Sequence, residues 1–260
     1  MATPLSASAF LKALRTEGLT VVEVGDWRDH NRNHKGPWGP VHGVMIHHTV
    51  TWGSARTVDI CRIGYAGLPG PLCHGVITKD GRVHLVGYGR ANHAGLGDDD
   101  VLRAVIAERT LPSDNEANTD GNRHFYGFEC ENLGDGDDPW PDVQVEAIVR
   151  ASAALVRAHG WGKDGDTSVI GHAEWQPGKI DPRGVSMNGI RRRVAERLQH
   201  PASWSRGSTS TYTVRKGDTL WSIAAAKLGN GARWREIASL NKLADADAIV
   251  PGQKLKLPKK

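Results

Sequence analysis

Short apolar runs recur along the N-terminal part of the chain, and they have the character of strands. Each run either alternates apolar with polar positions or is continuously apolar, as expected for strands partly or fully buried in a sheet. The runs are residues 20–24, 44–49, 74–78, 83–86, 125–131 and 168–171. Lys-Asp-Gly-Arg at 79–82 lies between two of them and predicts a hairpin turn.

Helical periodicity is clearest over residues 142–159, where apolar side chains recur every three or four positions and Gly160 follows as a C-terminal stop. Weaker helical patterns cover residues 8–17, 99–109 and 188–199. Because strands and helices are interleaved, the pattern predicts an α/β or α+β sandwich around a mixed sheet, and of the two we expect the α/β fold with a mixed central β-sheet flanked by helices.

The C-terminal part of the chain has a separate pattern. Residues 200–210 are rich in Ser, Thr, Gly and Pro and have no apolar period, which is typical of a flexible linker. The elements that follow are a strand at 212–214, helices at 219–227 and 234–241, and a strand at 254–257. We therefore predict a domain at 1–199, a linker at 200–210 and a small βααβ domain at 211–260.

Composition narrows the class of protein. The 260 residues suffice for a medium and a small domain, and no apolar run is long enough to cross a membrane. The N-terminus lacks a basic segment followed by an apolar run, so we expect no export signal peptide and no membrane insertion. Three cysteines, an odd number without close pairing, favour buried thiols over a disulfide framework.

Charge is unevenly distributed along the chain. The formal net charge is +4, yet residues 211–260 hold seven Lys and three Arg against four Asp and Glu, so they carry +6 and the remainder carries −2. A basic domain is attracted to polyanions such as bacterial wall polymers or nucleic acid. A solubilising surface bias explains the same count, so charge alone leaves the partner open.

Candidate metal ligands stand where predicted strands end. His47 and His48 close one apolar run and His172 closes another. Downstream, Lys179 and Asp181 lie two positions apart in a loop rich in Pro and Gly, so in an extended segment they point the same way. Two imidazoles and one carboxylate make a catalytic zinc set, because three protein ligands leave the fourth position to water.

Hydrolysis at such a site also requires a base and a group that stabilises an oxyanion. Glu129, on the predicted strand at 125–131, and Lys179 are the natural candidates. His-Ala-Glu at 172–174 matches half of a nucleobase deaminase signature, but the chain has no Pro-Cys-x-x-Cys to complete it. The helical His-Glu-x-x-His of zinc proteases is absent from the sequence.

Together these segments resemble the type 2 N-acetylmuramoyl-L-alanine amidases, whose relatives include peptidoglycan recognition proteins and many phage endolysins. The resemblance covers residues 42–197 and consists of five motifs in the right order. They are Ile-His-His-Thr at 46–49, Cys-His-Gly-Val-Ile at 73–77, Asn-His-Ala-Gly at 92–95, Gly-Phe-Glu-Cys-Glu-Asn at 127–132, and Gly-His at 171–172 with Lys-Ile-Asp-Pro at 179–182.

The resemblance implies a zinc ion held by His47, His172 and Asp181. It also implies that Glu129 is the general base for the attacking water and that Lys179 stabilises the tetrahedral oxyanion. Asp181 stands where some relatives have Cys.

The resemblance further places His74, His93 and Asn132 in the substrate cleft. Cys73 stands where some relatives have a Tyr that activates water, which shifts the acid/base role to Glu129.

Residues 211–258 resemble the LysM module, a family that binds polymers containing N-acetylglucosamine. The resemblance implies a shallow sugar groove between two loops. Its residues would be Gly217, Asp218, Thr219, Leu220, Ile249, Val250 and Pro251. The helical spacing of Trp221, Ile223, Trp234 and Leu240 favours core positions for these four over sugar platforms.

These resemblances predict hydrolysis of the amide between N-acetylmuramic acid and L-alanine in bacterial peptidoglycan, by a monomer without a nucleic-acid partner. One alternative is a recognition protein that binds peptidoglycan without cleaving it, and the complete ligand set disfavours it. Another is an amidase that recycles soluble muropeptides, which the wall-binding module disfavours.

A wall-binding module without an export signal indicates a phage endolysin, made in the host cytoplasm and released to the cell wall through a separate membrane pore. A bacterial autolysin exported by another route is the alternative.

Overall fold

The computed structural model describes residues 2–162, 167–204, 210–243 and 245–258. The chain divides into two compact units, Met1–Trp204 and Ser205–Lys260. Within the described ranges, no helix has both the length and the apolar character that crossing a membrane requires.

The first unit is an α/β domain. Its strands are β1 (Val21–Glu23), β2 (Gly43–His48), β3 (Gly64–Tyr65), β4 (Leu68–Pro69), β5 (Gly75–Ile77), β6 (Val83–Leu85), β7 (Leu96–Gly97), β8 (Thr119–Asp120), β9 (Phe125–Cys130) and β10 (Val169–Gly171). Its helices are α1 (Ala7–Thr16), α2 (Ser54–Ile63), α3 (Asp99–Ile106), α4 (Asp142–His159) and α5 (Met187–Leu198).

The central sheet has six strands in the order β1-β6-β5-β9-β2-β10. Only β5 and β6 pair antiparallel within it, through the predicted hairpin turn, where Gly81 adopts φ 79°. The other neighbouring pairs are parallel. The prediction of a mixed central sheet flanked by helices is confirmed.

Side chains of the central strands alternate between two cores. Val44 and Ile46 of β2 pack with α1, α4 and α5 on one face of the sheet. Met45, between them, belongs to a second core on the opposite face, together with Val101 of α3 and Trp175. Since successive strand residues point to opposite faces, His47 shares the face of Met45 and His48 that of Ile46.

Helix α2 is the one long element that the apolar pattern did not indicate. Its buried residues are Thr57, Val58 and Cys61, and no side chain of its own caps its N-terminus. The cap comes from the residue that follows β9: the Glu131 carboxylate accepts hydrogen bonds from the Gly53 N–H and the Ser54 hydroxyl, at 2.9 and 2.6 Å. A cap supplied from so far along the chain leaves no local signature.

The second unit has the predicted βααβ order. An antiparallel pair, β11 (Ser210–Thr213) and β12 (Lys254–Leu257), packs with α6 (Leu220–Leu228) and α7 (Trp234–Leu240). Thr219 caps α6 by accepting from the Ser222 N–H, and Gly229 ends the helix at φ 76°.

Two core assignments in the second unit were wrong. Ile223 is buried as expected and Trp234 is partly buried, but Trp221 is 57% exposed and Leu240 is 38% exposed. The Trp221 ring lies against Gly231, on the outside of the small core. In so small a domain, one helix face is enough to fill the core.

The first residues of the predicted linker pack against one another and against the end of α5. His200 stacks on Trp204 with ring centroids 4.3 Å apart, and the Arg197 guanidinium lies over the Trp204 ring at 5.7 Å and donates to the Ala202 carbonyl. Residues 200–204 therefore continue the first unit, while 205–209 lie outside the described residues.

Candidate metal centre and substrate cleft

The candidate site lies where the carboxyl ends of parallel strands meet. His47 near the end of β2 pairs in register with Glu129 of β9, so both side chains emerge on one face. On the other side of β2, Ile46 pairs with Gly171 of β10, which places His172 next to His47. Their rings are 4.6 Å apart between centroids. The topology thus assembles residues that are more than a hundred positions apart.

A short turn, His172–Glu174, holds His172 in place. The Glu174 carboxylate accepts from the Gly171 N–H at 2.9 Å and from both terminal nitrogens of Arg191 at 2.8 Å. The Ala173 N–H donates to the carbonyl of Asp181 at 2.7 Å, closing the loop and bringing Asp181 beside His172. The sequence motifs gave no indication of the roles of Glu174 and Arg191.

Three ligand atoms converge at this point. His47 Nδ1 is 3.0 Å from Asp181 Oδ2 and 3.1 Å from His172 Nδ1, and the His172 Nδ1 to Asp181 Oδ2 distance is 3.1 Å. A zinc ion with bonds of about 2.0 Å holds tetrahedral ligand atoms about 3.3 Å apart. The three predicted ligands therefore form a group that fits a zinc ion in both donor type and spacing.

Burial sets the protonation of this group. Burial lowers the pKa of His47 to about 4, against the opposing effect of its contact with Asp181. Burial alone would raise the pKa of Asp181, but contacts with His172 and His47 outweigh it and hold that pKa well below the usual range. A neutral imidazole and an ionised carboxylate are the forms that bind a metal.

Glu129 lies beside these three residues at the wall of the cleft. Burial raises its pKa well above the ordinary 4.5, and the nearby charges of Asp181 and Lys179 act in opposite directions on it. Its Oε2 is buried and has no hydrogen-bond partner in the described part of the protein. A carboxylate oxygen with free acceptor capacity is what a general base needs.

Lys179 is exposed and lines the same cleft, which has a volume of about 650 Å³. Cavities of this size accommodate ligands larger than a single sugar or amino acid. The cleft is lined by His47, His48, Thr49, Val50, Thr51, Ile60, Cys61, Tyr65, Leu68, Leu72, Asn92, His93, Gly95, Glu129, His172, Gln176, Gly178, Lys179, Ile180 and Asp181.

Exposed apolar side chains surround the mouth of the cleft. Val50 is 66% exposed, Tyr65 62% and Ile180 60%, and they come from three separate segments: the loop after β2, the short strand β3 and the loop after His172. Val50 adopts φ 51°, which a β-branched residue rarely does. The rim can therefore contact apolar parts of a bound ligand while the metal group contacts its polar centre.

The predicted positions of His74 and Asn132 in the cleft were wrong. His74 is fully buried, and its ring nitrogens contact the Gly89 carbonyl and the Gly127 N–H. Asn132 is 1% exposed and organises the loop that follows β9, donating to the Asp138 carbonyl and accepting from the Gly134 N–H. Neither residue lines the cleft, and both ring nitrogens of His74 are already engaged. His93, by contrast, does line the cleft.

Two neighbours of Glu129 are unsuited to acid/base chemistry. Glu131 points the same way along the strand, but its carboxylate is occupied by the start of α2 and by the Lys79 N–H. Cys73 is fully buried, and burial raises the pKa of its thiol. This geometry leaves Glu129 as the carboxylate that faces the metal group.

In the second unit, several residues of the predicted sugar groove have structural roles in the fold. Leu220 is 3% exposed and belongs to the core, so its side chain cannot line a groove, and that assignment was wrong. Asp218 accepts from the Tyr212 hydroxyl and the Arg215 N–H, while Thr219 caps α6. Gly217 adopts φ 89° in an exposed turn.

On the facing loop of that unit, Val250 is 60% exposed, Pro251 is exposed and Ile249 packs partly against the core. The groove assignment of these three residues and of Gly217 stays a prediction.

An α/β domain that brings two histidines, an aspartate and a buried glutamate together at the carboxyl ends of its strands has the components of a metal-dependent hydrolase. Residues 37–184, more than half of the chain, match the family model of the N-acetylmuramoyl-L-alanine amidases (Amidase_2), and residues 212–258 match the LysM domain. The chain belongs to the N-acetylmuramoyl-L-alanine amidase family and carries a LysM domain.

Individual relatives are more distant. The N-acetylmuramoyl-L-alanine amidase XlyB of Bacillus subtilis (strain 168) is 29% identical over 176 residues, which cover 64% of this chain and 53% of that protein. The chain spans at most about half the length of the curated relatives it matches.

Among solved structures, the endolysin N-acetylmuramoyl-L-alanine amidase LysCS from Clostridium intestinale has 17% identity and a TM-score of 0.43, covering 68% of this chain and 95% of that one. A Drosophila peptidoglycan recognition protein, PGRP-SA, has 17% identity and a TM-score of 0.41, covering 66% and 91%.

Proposed function

We propose that this protein is a zinc-dependent hydrolase that cleaves the amide between N-acetylmuramic acid and the first L-alanine of the peptidoglycan stem. The observation that carries the proposal is the convergence of His47, His172 and Asp181, at 3.0 to 3.1 Å, beside Glu129 in a cleft of about 650 Å³. A protein that only binds peptidoglycan has no use for a complete donor set next to a buried carboxyl group.

In this proposal His47, His172 and Asp181 hold the zinc ion. When bound there, the ion supplies Lewis acidity, which polarises the substrate carbonyl and makes water a stronger nucleophile at neutral pH.

Glu129 accepts a proton from the attacking water through its free Oε2 and then delivers it to the departing amine of L-alanine. Both transfers use the same carboxyl group, which faces the cleft from the centre of the sheet. The raised pKa of Glu129 suits both transfers, because it makes the carboxylate a stronger base for the water and keeps the proton on the carboxyl until the amine departs.

Lys179 provides positive charge for the oxygen of the tetrahedral state. Its side chain lines the cleft and lies near enough to Glu129 to oppose the rise in the pKa of that carboxyl. A cation that meets negative charge only in the transition state lowers the barrier without tightening substrate binding. Replacing Lys179 should therefore affect kcat more than KM.

The LysM domain would hold the enzyme on glycan strands that contain N-acetylglucosamine. Residues 211–260 carry a net charge of +6, which favours the anionic bacterial wall. Tethering raises the effective concentration of a catalytic domain on an insoluble polymer and does little for a soluble fragment. We therefore favour lysis of intact walls, as by an endolysin, over recycling of soluble muropeptides.

Digestion of purified peptidoglycan tests the proposal. We expect new L-alanine amino groups, counted by dinitrophenylation, without new reducing sugar ends. Lys179→Ala should lower kcat more than it raises KM, and Glu129→Gln serves as a matched inactive variant of nearly the same size. New reducing ends would identify a glycosidase, and binding without any cleavage would identify a recognition protein.

A further inference from the structure

Three histidines, which the sequence assigned to the metal (His47) and to the substrate cleft (His93 and His74), form one buried row that leads away from the metal group. The ring centroids of His47 and His93 are 5.3 Å apart and those of His93 and His74 are 5.7 Å apart, with the rings nearly perpendicular in both pairs. His93 is 7% exposed and the other two are more deeply buried. Their polar contacts determine which ring nitrogens carry hydrogen.

The chain of hydrogen bonds has a fixed direction, because it ends on a carbonyl. His93 Nε2 lies 3.1 Å from the Phe125 carbonyl oxygen, which can only accept, so Nε2 of a neutral His93 carries the hydrogen. Its Nδ1 is then an acceptor, and it lies 3.1 Å from His47 Nε2. In this contact His47 donates from Nε2, which leaves a lone pair on Nδ1, the atom that faces His172 and Asp181. Without a metal the Asp181 carboxylate, which can only accept, favours hydrogen on Nδ1 instead, whereas a metal between the two residues requires the lone pair there.

The position of His93 depends on a glycine in β9. A Cβ atom at Gly127 would lie 2.5 Å from His93 Nδ1 and 2.6 Å from its Cγ, closer than real Cβ contacts allow. The ring therefore lies directly on the Gly127 backbone, and any larger residue there would displace it away from the strand.

His74 holds the backbone of the same glycine. Its ring Nδ1 accepts from the Gly127 N–H at 2.9 Å, and its backbone N–H donates to the Gly127 carbonyl at 3.0 Å. The His74 Nε2 in turn contacts the Gly89 carbonyl at 2.8 Å, so this ring also has a defined tautomer. Both polar groups of Gly127 are thus held by one residue.

We infer that His93 is a positioning residue, seated on Gly127 and backed by His74, which holds His47 in the tautomer that presents Nδ1 to the metal. The inference rests on the proposed function for its metal, but not on any particular substrate. Partners of this kind, which fix the orientation and tautomer of a ligating imidazole, typically contribute 10- to 100-fold to metal affinity.

Two substitutions at His93 separate the two hydrogen bonds. In His93→Asn the side-chain oxygen takes the place of Nδ1 and can still accept from His47. In His93→Gln the amide takes the place of Nε2, so it can reach Phe125 but leaves His47 without its acceptor. The control is His124→Gln, which changes a histidine that likewise bonds a backbone carbonyl, that of Pro40, outside the cleft.

The experiment measures zinc affinity of the full chain by competition with a chromophoric chelator, with folding of each variant checked by circular dichroism. His93→Gln and Gly127→Ala should bind zinc roughly 10- to 100-fold more weakly. His93→Asn should retain most of the affinity, and His124→Gln should match the parent. Equal affinity in His93→Gln and the parent, or equal losses in the Asn and Gln variants, would overturn the inference.

Nitrogen-15 spectra of the histidine rings in zinc-loaded protein provide a readout that does not involve activity. The parent should show hydrogen on Nε2 alone in His93 and a slowly exchanging hydrogen on His47 Nε2, whereas in His93→Gln the His47 hydrogen should exchange quickly. A parent whose His93 carries hydrogen on Nδ1 would also contradict the inference, because that nitrogen could not then accept from His47. Should the protein bind zinc as expected yet leave peptidoglycan intact, the proposed function fails and this inference stands.

Discussion

The ion pair between Glu174 and Arg191 supports the turn that carries His172, and its two partners should be unequally sensitive to mutation. The Arg191 side chain is 8% exposed and that of Glu174 is 30% exposed. Glu174→Ala takes the carboxylate from a nearly buried guanidinium and also frees the Gly171 N–H. Arg191→Met keeps the length of the side chain and leaves a carboxylate that water can reach.

The magnitudes follow from burial. Removing one partner of a fully buried pair costs about 3–5 kcal/mol. Arg191 keeps its bonds to the Val169 carbonyl and to Asn188, and Glu174 is partly screened by water, so we expect about 2–3 kcal/mol for Glu174→Ala. Arg191→Met should cost about 1–2 kcal/mol, since the remaining carboxylate can be hydrated.

Thermal unfolding with a chelator present measures both effects without interference from metal. For a domain of this size, the loss in Glu174→Ala corresponds to a fall in Tm of about 4–12 °C. The double variant should be less destabilised than the sum of the single ones, because neither charge is left behind. If Arg191→Met proves the more damaging change, or if the two effects add fully, the burial argument is wrong.

Four further outcomes are expected. Metal analysis after dialysis should find no stoichiometric zinc in any of the three ligand variants, His47→Ala, His172→Ala and Asp181→Ala. The control His48→Ala, whose side chain lies on the opposite face of the sheet, should retain zinc, and zinc bound in all three ligand variants would refute the ligand set. Glu129→Gln should retain zinc but turn over roughly 10²- to 10⁴-fold more slowly, and the acidic limb of the pH-rate profile should disappear with it. Because the pKa of Glu129 is raised on folding, the zinc-free parent should lose stability relative to Glu129→Gln as pH rises past 4.5, and denaturation midpoints that stay parallel from pH 4 to 8 would contradict this. Removal of the C-terminal unit should leave cleavage of soluble muropeptides nearly unchanged and slow the clearing of intact walls, whereas loss of both activities would show that the unit supports the catalytic fold.

The main elements of the fold could be predicted from local sequence. Buried strands such as 44–49 and 125–131 are apolar runs, and α4 has a continuous apolar face that ends at Gly160. Both signals depend on periodicity within one segment, which exists before any tertiary contact forms. The small βααβ unit was predictable for the same reason.

The three residues of the metal group could also be predicted from the sequence. His47 and His172 each lie at or beside the end of an apolar run, and parallel strands bring such ends to one edge of a sheet. Asp181 follows in a loop short enough to return to His172. The convergence of these residues could therefore be inferred from the order of the motifs and from the ends of the apolar runs.

Other features were decided only by contacts between distant segments. Helix α2 begins where it does because Glu131, which follows the distant strand β9, caps it. The sequence alone cannot tell a histidine that faces the cleft from one like His74, which is enclosed by backbone on both sides.

Likewise, only the arrangement in space shows that Gly127 lies beneath His93, and that His93 in turn directs Nδ1 of His47 toward the metal position. Local sequence determined which side chains stand at the ends of the strands. The tertiary structure determined which of their atoms face one another, because hydrogen-bond partners in a folded chain are chosen by proximity in space and not along the sequence.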